Sequence, residues 1–384
     1  LAVAAREDSF GGVCLDSIEK ERLVKSLALI GLFALSSFAY AEAPLDPAYK
    51  DLKHPKVDDR GHKAESKSDT LSLITKQTPV RSQMSRGTCS IFSATALIES
   101  LLIINNRATS EIDLSEEWLQ YASVRNKQSD GSSAPSNFNA LKTYGLPTEA
   151  TLPYIGDDWN SELSGVSELK SARCSHLWGS LQKSCFITHF DPRFMTMSDA
   201  QLLDVNAVYR SEVFVNARRE AAEFRDTNLR QNGVRSYGVS SVTTIKSQLR
   251  AGTPIVLEMD FYYGAWNHRL ADELSIGRDM EAWAKGVIGY PEYGSVDRTR
   301  SPEKRAGHSI LVVGYDDEKV VTTNVLMNDG TTKQFTYKGV YYFKNSWGTS
   351  SFGSQFEVDG EIVPGYGMIT QKYAHEQGAF YRLQ

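Results

Sequence analysis

The residue in this 384-residue chain whose surroundings most suggest chemistry is Cys89. Residues 78–101 read TPVRSQMSRGTCSIFSATALIESL, a loop carrying Gly87 followed by Ile91, Phe92, Ala94, Leu97 and Leu101 at helical spacing. The pattern predicts a helix that begins at Cys89. At such an N-terminus the unpaired N–H groups and the positive end of the helix dipole stabilise a thiolate, the nucleophilic form of the side chain. Gln83 lies six positions earlier, where its side-chain amide is expected to join the Cys89 N–H in holding an oxyanion. A lone thiol is more often a buried, inert residue, so a base must be found elsewhere in the chain. Of the seven histidines, His308 stands apart: Gly307-His308-Ser309 opens the apolar run Ile310-Leu311-Val312-Val313, which ends in Gly314-Tyr315-Asp316-Asp317. That is the layout of a buried strand closed by turn residues.

With these residues in view the chain resembles the papain-like cysteine peptidases of the papain and cathepsin type. Gln83, Gly87, Cys89, Phe92 and Ser93 fall in the places of that family's Gln and Gly-Ser-Cys-Gly-Ser-Cys-Trp-Ala-Phe-Ser motif. The resemblance implies Cys89 as nucleophile, Gln83 in the oxyanion hole and His308 as base, the family placing its histidine at the start of a similar strand. It further implies Asn345, within Tyr341-Tyr342-Phe343-Lys344-Asn345-Ser346-Trp347-Gly348, as the acceptor that orients the histidine, with Trp347 covering their hydrogen bond. Two positions depart from the pattern. Arg86 replaces a disulfide cysteine, and Ser90 replaces the tryptophan after the nucleophile. Asp130-Gly131-Ser132-Ser133, matching the loop that carries the partner cysteine and lines the substrate cleft, lacks a cysteine too.

The implied architecture is α+β. Two subdomains are expected, a helical left one and an antiparallel, β-barrel-like right one, with the active-site cleft between them. Roughly 200 residues share the family's order, while His308 and Asn345 follow Cys89 by 219 and 256 residues, against about 130–150 in relatives. Two insertions account for the excess. One spans about 156–238 and includes Cys174, Cys185 and the charged, helix-like stretch 206–230. The other spans 318–338, around the hairpin signal Asn328-Asp329-Gly330. The expected layout is therefore 1–41 as upstream residues and signal peptide, 42–76 as a short polar lead, and 77–384 as the peptidase domain. Within the last, 77–155 is the left part and 239–384 the right part. Asp113 or Ser115 should cap the helix after 115, and residues 245–257 resemble the strand leading into the right part. Residues 365–369 resemble the family's closing strand, and 266–305 match nothing.

Bulk properties agree with an ordinary globular protein: 41% hydrophobic residues, 10% aromatics and a formal net charge of -5. Without long basic runs there is no electrostatic basis for a nucleic-acid partner. Lys20, Arg22 and Lys25 precede an apolar run from Ser26 to Phe38 that ends in Ala39-Tyr40-Ala41. This has the layout of a cleaved secretory signal and is too short for a membrane anchor, so a secreted or periplasmic protein is expected. Cleavage near Ala41 leaves three cysteines, an odd count that in an oxidising compartment implies one pair, Cys174 with Cys185, and one remaining thiol, Cys89. The lead 42–76, polar and turn-rich, reads as a linker or a short inhibitory strap. No metal or nucleotide motif appears, and the chemistry requires no cofactor. The expected partner is a peptide or protein substrate, and the expected reaction is endopeptidase cleavage through a thioester acyl-enzyme. Acyl transfer or ligation, aminopeptidase action, and a catalytically silent binding protein are the alternatives, the last disfavoured by the retention of Cys89, His308 and Gln83.

Overall fold

A computed structural model describes residues 67–160, 168–230 and 234–384. The signal-like segment, Cys14 and the lead up to residue 66 lie outside the described residues. Residues 67–76 are folded. Asp69 caps a short helix, α1 (Thr70–Ile74), by accepting the Ser72 N–H. Ser68 exchanges bonds with Tyr315, its N–H to the Tyr315 carbonyl at 3.0 Å and the Tyr315 N–H to its Oγ at 2.9 Å. Backbone pairing thus orders the end of a segment whose composition reads as unstructured.

The helical part centres on α2 (Cys89–Ile104). It is buried along nearly its whole circumference, as expected of a helix carrying Ile91, Leu97, Ile98 and Leu102 on several faces. Two helices pack against it, α3 (Glu116–Val124) and α4 (Ala134–Tyr144). Ser115 caps α3 by accepting the Trp118 N–H at 3.1 Å, and Glu116 and Glu117 occupy its first turn, where the dipole favours acids. Pro135 sits in the first turn of α4, where its missing N–H costs nothing, and Gly145 ends the helix at φ +75°. Four segments follow: α5 (Glu168–Cys174), α6 (Gly179–Thr188), a five-residue helix at Asp199–Leu203 capped by Ser198, and α7 (Glu212–Arg225). A Cys174–Cys185 disulfide joins α5 to α6, with Cα atoms 5.8 Å apart. Around it lies a small separate cluster of Trp159, Cys174, Leu177 and Cys185.

Seven strands form the main sheet: β1 (Ser236–Val239), β2 (Ile255–Asp260), β3 (Val287–Ile288), β4 (Gly307–Leu326), β5 (Thr332–Lys344), β8 (Tyr366–Thr370) and β9 (Gly378–Leu383). Their order is β1-β9-β2-β4-β5-β8-β3, and all pairs are antiparallel except β3 with β8. A separate hairpin joins β6 (Glu357–Val358) and β7 (Glu361–Ile362). Two expectations shift. Residues 242–250 form a helix, α8 (Val242–Arg250), capped by Ser241, so the strand begins only at Ile255, after the Gly252-Thr253-Pro254 break. The sheet also runs past residues 366–370 through α9 (Gln371–Gln377) to β9. One continuous core joins the helices to the sheet: Leu97, Trp118 and Phe138 belong to the same cluster as Val312, Tyr341 and Phe380.

Candidate active site

One contact sets the helix carrying Cys89 against the strand carrying His308, and a second holds that helix from α4. Ser93, one turn beyond Cys89 on the same face of α2, has its Oγ 2.6 Å from Ser309 Oγ. Asn137 of α4 donates from Nδ2 to the Ser90 carbonyl at 2.9 Å, fixing the first turn of α2 from the other side. Cys89 and His308 are both fully buried, and Cys89 takes no part in the disulfide.

Asn345 directly follows β5, beside His308. Its Oδ1 lies 2.9 Å from His308 Nε2 and also accepts the Ser346 backbone N–H at 2.9 Å. A backbone N–H can only donate, so it fixes the oxygen end of the Asn345 amide toward the ring. His308 Nε2 is therefore the protonated nitrogen of the neutral imidazole, and Nδ1 carries the lone pair. Nδ1 is buried and has no hydrogen-bond partner among the described residues. Burial lowers the His308 pKa to about 4, the Asn345 bond acting in the opposite direction.

Aromatic rings enclose this pair. Trp347 stacks on the imidazole at 4.6 Å, as its place after Asn345-Ser346 leads one to expect. Trp266 meets the ring edge-on at 5.0 Å and Phe261 at 6.0 Å. Trp266 belongs to the stretch that matched no pattern in the sequence. An isolated tryptophan among short turns carries no periodic signal, so only the fold discloses its place.

Gln83 is anchored at both ends of its amide. Ser346 donates its hydroxyl to Gln83 Oε1 at 2.7 Å, and Gln83 Nε2 donates to the Arg86 carbonyl at 2.7 Å. The backbone pairs as well: Gln83 N–H meets the Ser346 carbonyl at 2.9 Å, and Gly348 N–H meets the Arg81 carbonyl at 3.1 Å. The loop before Cys89 and the loop after Asn345 therefore run together as a short ladder. All four residues singled out in the sequence, Gln83, Cys89, His308 and Asn345, lie in this one region where α2 meets β4 and the end of β5.

Two buried charge networks gave no sequence signal. Behind Asn345, Lys344 donates to the Thr78 carbonyl at 2.7 Å and to its Oγ1 at 3.0 Å, while Thr78 Oγ1 donates to Glu99 Oε2 at 2.6 Å. Burial lowers Lys344 to about 8, against the pull of Glu99 and Glu116, and burial raises both of those carboxyls. The second network surrounds Arg86. Its Nη1 donates to Glu117 Oε2 at 2.8 Å and to the Ile155 carbonyl at 2.9 Å, and its Nη2 donates to the Ile187 carbonyl at 2.7 Å. Burial alone would raise Glu117, but Arg86 and His189 outweigh it and bring it to about 2. Asp130, raised by burial to about 6 despite Arg86, lies 3.9 Å from Arg86 Nη2 and accepts the Gly87 N–H at 3.4 Å. Arg86 and the loop 130–133, where the resemblance leads one to expect a disulfide, are thus linked by charge.

No group of three or more metal-ligating side chains occurs among the described residues. The family model for papain family cysteine proteases matches residues 67–268, just over half of the chain, and ends before His308 and Asn345. Cysteine proteinase 1 of Entamoeba histolytica is 31% identical over 101 residues, covering 25% of this chain. The match spans 32% of that relative's length. Among solved structures, xylellain, a cysteine protease from Xylella fastidiosa, aligns at 16% identity and TM-score 0.44 over 87% of this chain and 99% of its own. Digestive procathepsin L2 proteinase from Tenebrio molitor larval midgut aligns at 17% identity and TM-score 0.42 over 84% and 69%.

Proposed function

Because the chain belongs to the papain family of cysteine proteases, we propose that it is a cysteine peptidase that cleaves peptide bonds through a thioester on Cys89. The observation that carries this reading is the His308–Asn345 bond, which leaves the lone pair of the imidazole on Nδ1. The thiol of Cys89 transfers its proton to Nδ1. Burial favours the neutral imidazole, whereas a thiolate beside it favours the imidazolium. The thiolate attacks the scissile carbonyl carbon, and the carbonyl electron pair moves onto oxygen. Hydrogen bonds from the Cys89 N–H and the Gln83 side-chain amide stabilise that oxyanion. Its collapse breaks the C–N bond while imidazolium Nδ1–H protonates the leaving amine. Water then attacks the thioester, giving its proton to Nδ1, and the acid and the thiol are released.

Cys174–Cys185 supports an oxidising compartment, and with the signal-like segment we propose export to the periplasm or the exterior.

The test is covalent labelling of purified protein by an epoxide warhead, with the modified residue mapped in wild type, Cys89→Ala and His308→Ala. Rapid modification at Cys89 that disappears in His308→Ala supports the peptidase. Labelling no faster than that of an ordinary thiol in solution overturns it in favour of a binding protein on the same scaffold. Mass analysis of products with and without an added amine separates hydrolysis from acyl transfer.

A further inference from the structure

Residues 83–86 form a turn closed at both ends by Arg86. The Arg86 N–H donates to the Gln83 carbonyl at 3.2 Å, and the Arg86 carbonyl accepts from Gln83 Nε2 at 2.7 Å. Inside the turn Met84 adopts φ +51°. A non-glycine residue persists in that left-handed conformation only where its surroundings fix it. The guanidinium supplies the fixing, because acceptors on three separate segments hold it: Glu117 in α3, Ile155 after the α4 turn, and Ile187 in α6. Tyr154 lies beneath the guanidinium at 5.2 Å and donates its hydroxyl to the Gln83 carbonyl at 3.0 Å.

The segment after residue 155, long relative to the family's spacing, completes this box. His189 Nδ1 is 2.8 Å from Glu117 Oε1, and Trp159 packs on the His189 ring at 3.9 Å. Ile187 and His189 lie two and four residues after Cys185, which the disulfide ties to α5. We propose that Arg86 is a positioning residue for the oxyanion hole, and that residues 155–160 and 168–191 are the brace against which it holds the Gln83 amide. Gln83 thereby owes its aim to a buried guanidinium fork, and the insertion contributes to turnover without touching substrate. This inference rests on the peptidase reading of the site.

A double-mutant cycle tests it, using the full chain and a fluorogenic peptide amide that the wild type cleaves. Gln83→Ala alone should lower kcat about 100-fold, the usual cost of an oxyanion donor. Arg86→Met combined with Glu117→Gln removes both charges together, so that the Glu117 carboxylate is not stranded. That pair should lower kcat about 10- to 100-fold with KM changed by less than about threefold, since the lost interaction belongs to the transition state. Adding Gln83→Ala to it should cost less than about threefold more, because Gln83 is already misplaced. The rate of Cys89 alkylation by iodoacetamide, which forms no oxyanion, should stay within about twofold of wild type throughout. Should the paired variant not fold, Arg86→Lys keeps the charge but loses the fork and should show the same kcat loss at unchanged KM. Retained kcat, or effects of Gln83 and Arg86 that multiply fully, overturn the inference alone. A wild type without turnover overturns the peptidase reading and this inference with it.

Discussion

At the scale of single residues, the Asn345 amide decides the chemistry open to His308. The Ser346 N–H sets the amide, the amide sets the tautomer, and the tautomer leaves Nδ1 as the nitrogen able to take a proton. Asn345→Ala should therefore lower kcat/KM about 10- to 100-fold, the usual cost of losing an orienting partner, while Cys89→Ala abolishes turnover. Peptide hydrolysis by the purified variants checks both. Glu149 gives a separate prediction. Burial raises its pKa to about 7, opposed by the Tyr154 N–H it accepts at 2.6 Å. A carboxyl raised in the folded state contributes stability below the unfolded value of about 4.5, and loses it as pH rises through about 7. Glu149→Gln keeps an acceptor for Tyr154 and avoids the buried charge. It should match wild type in thermal unfolding near pH 4.5 and exceed it by about 1 kcal/mol at pH 8, a figure reduced for the partial exposure of the group. Equal differences at both pH values would count against a buried, proton-holding Glu149.

At the scale of elements, the close approach of α4 and α7 depends on Gly145. Its φ is +75°, and an added Cβ would lie 1.9 Å from the Ala221 carbonyl oxygen, within a helix backbone that cannot give way locally. Gly330, in the turn between β4 and β5, has a similar φ of +81° but open space around it. Gly330→Ala should cost only the conformational term, about 1 kcal/mol. Gly145→Ala should cost about 3 kcal/mol, because helix packing must also shift. Chemical denaturation of the two variants separates the contributions. Elements with local signals were legible: the Ser115 cap, the helix in 206–230, and the turn at 328–330 between two long strands. Residues 245–250 misled because Ile245 and Leu249 suit a buried strand as well as a helix face, and the Ser241 cap carried the deciding signal.

At the scale of the whole molecule, stability against acid is set by opposed groups. Burial lowers His189, His268 and His308 to about 4, 3 and 4, so each contributes stability that declines as pH falls from about 6.5 toward those values. Asp130 and Glu149, raised by burial to about 6 and 7, act with the opposite sign over nearly the same range, and Glu99 and Glu116 are raised too. The unfolding temperature should therefore change little between about pH 5 and 6.5. Below about pH 4.5 it should fall, as Glu117, held at about 2, begins to lose its pair with Arg86 and the histidines still to be protonated act unopposed. Calorimetric scans across this range check the prediction, and a steady decline from pH 6.5 would contradict the cancellation. No helix among the described residues is long and apolar enough to cross a membrane.

By itself the sequence determined the helix that begins at Cys89, the buried strand after His308, the Lys344-Asn345-Ser346-Trp347 string and the pairing of Cys174 with Cys185. Each is written in local spacing, in composition or in a short motif. The tertiary structure alone decided that Arg86 is enclosed by Glu117, Ile155 and Ile187, that Trp266 meets the His308 ring, and that Lys344 lies buried with Thr78 and Glu99 behind Asn345. These contacts join residues far apart in the chain. A charge or a ring in isolation has no period and no neighbour to announce its partner, and burial, which makes such contacts strong, is a property of the assembled fold.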